Sequence, residues 1–150
     1  MTRDEILNLK ANRNTNALIA ERVMKWQAWT EQRGPYTYFI WQQKGKPEPY
    51  YQSRDWEVQK KRYAKIGALE FDPHKHIEAG LRNFTGDISE AWQVVKKVDR
   101  PVSIIESAIR DGFWCEFLMD FDKDRVIDAK AETVPLAICR AALLTTLEDK

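Results

Sequence analysis

Apolar residues fall on every second position from Phe113 to Phe121: Phe113, Cys115, Phe117, Met119 and Phe121, with Glu116 and Asp120 on the alternate side. Period two marks a strand with one covered face. After a charged turn, Ile127, Ala129 and Ala131 repeat the alternation, and Thr133-Val134-Pro135 opens a helix carrying Leu136, Cys139, Leu143 and Leu147. A hairpin with a helix on its apolar face is expected. Upstream, Val102 to Ser107 reads as a third strand, turned into the aromatic one by Asp111-Gly112.

The first half carries weaker periodicity. Residues 2–29 read as helical, with Leu18, Ile19, Val23 and Trp26 on one stripe and Glu21, Arg22 and Lys25 mostly opposite. Gly34-Pro35 stops that run, Tyr36 to Gln43 suits a strand, and Tyr50-Tyr51 is its expected partner across a Gly/Pro-rich turn. Trp56, Lys60, Tyr63 and Ile66 or Gly67 suit a basic amphipathic helix, and Asp72-Pro73 would start a second one bearing Ile77, Leu81 and Phe84. Asp87-Ile-Ser-Glu90 has the form of a capping box. Ile88, Ala91, Trp92, Val95 and Val98 follow on one face, until Arg100-Pro101 ends the helix. The order is helix, hairpin, helical insert, helix, three antiparallel strands, helix. That is an α/β (α+β) chain, an α-β-α sandwich with a mostly antiparallel sheet.

Three segments carry a family resemblance: Asn16-Ala-Leu-Ile-Ala-Glu-Arg-Val-Met-Lys-Trp26, Thr85-Gly-Asp-Ile-Ser-Glu-Ala-Trp-Gln-Val-Val95, and Ala131-Glu-Thr-Val-Pro-Leu-Ala-Ile-Cys-Arg-Ala-Ala-Leu-Leu144. Together they resemble the bacteriophage ABA sandwich domain found in small phage and prophage proteins, over residues 16–29 and about 84–147. The resemblance implies a phage or prophage origin and an αβα sandwich, and it brings no catalytic residue. Family members pass from the first tryptophan to the second helix by a short hairpin, so residues 52–83 look inserted into a single domain of residues 1–150.

Length and charge narrow the partners. A chain of 150 residues is one domain. Its Lys plus Arg count of 24 against 23 Asp plus Glu produces no global field for a nucleic-acid polymer or an anionic membrane. The opening MTRDEILNLK lacks a signal-type apolar core and no stretch reaches membrane length, so a cytoplasmic location is expected. Cys115 and Cys139, at inward positions, read as buried reduced thiols, with a disulfide or metal pair as the alternative.

No local motif supplies a reaction. Asp120 to Asp128 imitates a calcium loop, but Arg125 stands where the sharp turn needs glycine and Ala131 where a bidentate glutamate is needed. His74 and His76 lack a third metal ligand, and neither a phosphate-cradling glycine loop nor a nucleophile elbow is present. The strand-strand-strand-helix order has the outline of a double-stranded-RNA-binding domain, without that module's lysine cluster at the final helix.

The basic run Lys60-Lys61-Arg62 beside Trp56 and Tyr63 reads first as a solvated helix face over a buried Trp and Tyr stripe, and otherwise suits phosphate pairing with base stacking. Tyr36, Tyr38, Trp41, Tyr50 and Tyr51 crowd the first hairpin, and either a homo-oligomer contact or a planar ligand would cover them. The expected ligand set is Trp41, Tyr51, Trp56, Lys60, Arg62, His76 and Arg82, with no metal, cofactor or catalytic residue. The expected role is a non-enzymatic phage accessory protein, an anti-defence factor that sequesters a small anionic, nucleotide-type immune signal. The alternative is an inhibitor or scaffold module that grips a host protein. An enzyme acting on such nucleotides would need a constellation assembled only by folding.

Overall fold

A computed structural model describes residues 1–42, 63–72, 74–107, 111–120 and 124–148. Helices α1 (Arg3–Leu7) and α2 (Arg13–Leu18) lead into a π-helical turn, Ile19–Val23. Thr2 and Asn12 cap the two helices by accepting backbone N–H groups of Glu5 and Thr15. The run read as helical to residue 29 stops earlier. Lys25 takes the left-handed conformation (φ 59°), and the Trp26 N–H returns to the Ala20 carbonyl at 2.8 Å, closing the helix end. Residues 27–29 therefore open strand β1 (Gln27–Arg33).

Strand β1 turns at Gly34, whose φ of +57° glycine tolerates best, into β2 (Tyr36–Gln42). The hairpin expected at β2 exists, but its partner is β1, paired from Gln27↔Gln42 to Arg33↔Tyr36; Tyr50-Tyr51 lies outside the described residues. Its two edges are filled by β3 (Tyr63–Ile66), antiparallel to β1, and β4 (His76–Ala79), parallel to β2, in the order β3-β1-β2-β4. Both strands fall where helices were expected. Bare hairpin edges present rows of unpaired N–H and C=O groups, and pairing them outweighs a weak helical spacing. The proposed helix around Trp56 otherwise lies outside the described residues.

Helix α3 (Ile88–Val98) starts at Asp87, which accepts N–H bonds from Ser89 and Glu90. The reciprocal half of the capping box is not made; Glu90 instead pairs with Arg82 at 2.7 Å. The buried face is also rotated from expectation. Ala91, Val94 and Val95 point inward, while Ile88 and Trp92 are 47% and 41% exposed.

The second sheet follows the alternation read from sequence. Strands β5 (Val102–Glu106), β6 (Phe113–Asp120) and β7 (Arg125–Ala131) are antiparallel in that order. Register places Ile104, Cys115 and Ala129 abreast, and Val102, Phe117 and Ile127 abreast, on one face. Gly112 (φ +137°) admits no side chain, since a Cβ there would lie 2.7 Å from the Ala131 carbonyl oxygen. Helix α4 (Val134–Glu148) covers that face. Beyond Leu136, Cys139 and Leu143 it also buries Ala137, Ile138, Ala141, Ala142 and Leu144, as a helix enclosed on several sides must. It packs against β6, β7, α3, α1 and the π-helical turn, and one continuous core joins these layers to Ala28, Phe39 and Trp41 of the other sheet. The architecture is α+β with two mostly antiparallel sheets.

Candidate functional site

Four of the expected ligand residues, Tyr51, Trp56, Lys60 and Arg62, lie outside the described residues. The other three do not converge. Trp41 is 7% exposed, its ring 5.7 Å from that of Phe39. His76 shares that sheet face, with its ring 5.8 Å from both Phe39 and Phe71, and its Nδ1 accepts the Asp72 N–H at 2.9 Å. The Arg13 guanidinium stacks 3.8 Å above Phe71, completing an aromatic-cation cluster under the sheet. Trp41 and His76 thus both pack around Phe39. Arg82 lies elsewhere, on an open cleft.

A concentration of positive charge among the described residues was not anticipated. Where the π-helical turn ends, beside the C-terminal end of α3 and the last turns of α4, a cleft of about 270 Å³ is lined by Arg22, Lys25, Lys97 and Arg100, with Thr145 and Thr146 among its floor residues. Among the described residues none of the four cations makes an ion pair, and no carboxylate lines the cleft. The Thr145 and Thr146 hydroxyls donate to the carbonyls of Ala142 and Leu143, each at 2.7 Å, so toward the cleft they can only accept.

The left-handed turn at Lys25 brings this about by swinging the chain from helix into β1. Residues Arg22, Val23 and Lys25 line the cationic cleft, while Met24 and Trp26 line a second one of about 300 Å³ with Arg82, Phe84, Ser89, Glu90 and Gln93. Trp26 is half-buried and held edge-on by Phe84, with centroids 5.6 Å apart. Arg82 there is neutralised by Glu90. Sequence reading placed Arg22 and Lys25 mostly opposite the apolar stripe of a helix and used Arg100 only as the end of a later one. The available signal was that both clusters mark helix termini.

Behind the clefts, a buried polar network joins the segments of the family resemblance. The Asn16 Oδ1 accepts the Thr85 N–H and hydroxyl, each at 2.9 Å, and its Nδ2 donates to Asn83 Oδ1 at 3.2 Å. Cys139 Sγ contacts the Phe84 carbonyl at 3.4 Å. Both cysteines are free and buried. Desolvation pushes the Cys115 thiol up to about 12, with Glu116 adding to it, and raises Cys139 further. Among the described residues no group of three or more His, Cys, Asp or Glu could hold a metal ion, and no helix is long and apolar enough to cross a membrane.

This fold and its buried signature define a class. The chain belongs to the phage ABA sandwich domain family, whose pattern matches residues 17–143. It is similar to a phage protein from Bacillus cereus ATCC 14579, known from a 2.0 Å crystal structure. The two are 18% identical, with a TM-score of 0.50 over 95% of each chain, which is a likeness of fold. No curated relative matches the chain.

Proposed function

We propose that this phage-family protein is a non-enzymatic accessory factor that binds and holds a small anionic ligand of nucleotide type, acting against host defence by sequestering such a signal. The observation carrying this reading is the cationic cleft: four Lys and Arg side chains converge on one cavity with no neutralising carboxylate among its described lining residues. Like charges gathered at one place repel, and a phosphate relieves that repulsion while accepting charge-assisted hydrogen bonds. A holding role, rather than turnover, is supported by the lining itself. Its hydroxyls are committed to helix carbonyls, and a nucleophile paired with a general base is absent among its described residues.

Isothermal titration against pyrophosphate, cyclic nucleotides and ADP-ribose derivatives tests the proposal. At least one should bind, and Lys97→Ala with Arg100→Ala should weaken it by roughly tenfold per phosphate-contacting cation. Affinity should fall as salt rises. Silence across the panel, or binding indifferent to both substitutions, overturns it.

The reading as a module that grips a host protein has its own observation. On the outer face of the three-stranded sheet, Ile105 and Val126 are each 48% exposed. An Ile105→Asp, Val126→Asp double variant should then lose a co-purifying host protein at unchanged thermal stability. Light scattering that reports a dimer dissociated by the same variant would instead assign that face to a homo-oligomer.

A further inference from the structure

We infer, resting on the anion-binding reading of the cationic cleft, that the two clefts are halves of one groove whose ligand is a linear nucleoside polyphosphate, its base on Trp26 and its phosphates among Arg22, Lys25, Lys97 and Arg100. Contiguity comes from both walls. On one wall, Met24 and Lys25 are chain neighbours that line opposite halves. On the other, Gln93 lines the Trp26 half and Lys97 the cationic half. Residues four apart on a helix lie on one face, about 6 Å along the axis. That is the scale of the single pentose between a base and its first phosphate.

Charge sets the ligand's direction. Among the described residues the Trp26 half holds one cation, Arg82, already paired to Glu90 at 2.7 Å, so this half offers an anion little. It offers a base more. The half-buried indole is fixed by Phe84, and exposed Gln93 carries an amide that both donates and accepts without a partner among the described residues. Ser89 can accept but not donate there, because its hydroxyl is given to Asp87 Oδ1 at 2.6 Å. One aromatic platform at one end and unpaired cations at the other match a single base with two or more terminal phosphates. A cyclic dinucleotide, with two bases flanking its phosphates, matches the groove poorly.

Titrations of the intact protein with sodium pyrophosphate, adenosine, ADP, GDP and cyclic di-AMP separate the possibilities. ADP or GDP should bind about ten- to a hundredfold tighter than pyrophosphate, the worth of one stacked base, and tighter than cyclic di-AMP. Gln93→Ala, at an exposed position that cannot unfold the chain, and Trp26→Phe should each weaken the nucleoside diphosphate and leave pyrophosphate unchanged. Lys97→Ala should weaken both. Pyrophosphate binding as tightly as ADP and GDP, indifferent to Gln93→Ala, overturns the bipartite groove while leaving the anion site standing; so does tighter binding of cyclic di-AMP. Failure of pyrophosphate and every nucleotide to bind overturns both.

Discussion

Replacing Asn16 by alanine removes the acceptor shared by two buried donors. Thr85 is 1% exposed, and both its N–H and its hydroxyl bond Asn16 Oδ1 at 2.9 Å. The hydroxyl can rotate toward another acceptor, but the N–H cannot. One stranded donor costs about 1–3 kcal/mol and a second adds part of that again, so the loss should be roughly 2–4 kcal/mol. Set against a total stability of about 5–15 kcal/mol, this is a large fraction. It corresponds to a fall in Tm of about 5–15 °C for a domain of this size. Urea unfolding followed by circular dichroism should show a lower midpoint at unchanged slope. Thr85→Val supplies the sharper test. In the native background it removes a satisfied hydroxyl and should cost about 1 kcal/mol. In the Asn16→Ala background it removes an unsatisfied one and should be neutral or stabilising. If the two substitutions instead add to within about 0.5 kcal/mol, the network is not what ties the family's first two segments together.

Three further outcomes follow from the same geometry. Arg140 donates Nε to the Leu9 carbonyl at 2.9 Å and Nη1 to the Lys130 carbonyl at 2.6 Å, fastening the chain after α1 and the end of β7 to α4. Arg140→Lys, whose single ammonium cannot span both, should cost about 1–3 kcal/mol by the same denaturation assay, and a change near zero refutes the fastening. Cys115 and Cys139 should resist iodoacetamide at pH 8 until the protein unfolds. Because burial raises their folded values above the ordinary 9.0, their contribution to stability should be complete below pH 9 and decline from there toward about 12, as alkaline thermal melts would show. The Ser89 hydroxyl, then the Glu90 and Ser89 N–H groups, hold the Asp87 carboxyl below its ordinary 3.8. Its contribution is therefore present above pH 3.8 and lost as pH falls below it, and Asp87→Asn should flatten that acid limb while α3 persists in circular dichroism.

The C-terminal half was legible because its signals are local and agree with one another. Strict alternation in β6 and β7, the turn at Gly112 and Thr133 before α4 each specify the same arrangement, so β5 to β7 and their covering helix could be read directly. The hydrophobic stripes of the first half were real, but stripe and helix end did not coincide. Lys25 could have continued the helix, and only the need to pair β1 with β2 and β3 turned it left-handed. The helical spacing of Ile77 and Leu81 yielded in the same way to an open sheet edge, because backbone hydrogen bonding is obligatory where spacing is only a preference.

Charge followed a similar division. Sequence alone established a near-neutral chain in the phage ABA sandwich family, the one-faced second sheet, the cap of α3 and two inward thiols, since each depends on composition or on neighbours within a few residues. Tertiary structure alone decided which cations meet. Arg22 and Lys25 close one helix, Lys97 and Arg100 close another far along the chain, and nothing in either stretch records that packing against α4 brings both ends to one cleft. Electrostatic attraction for a ligand depends on distance in space, and the fold supplies that distance.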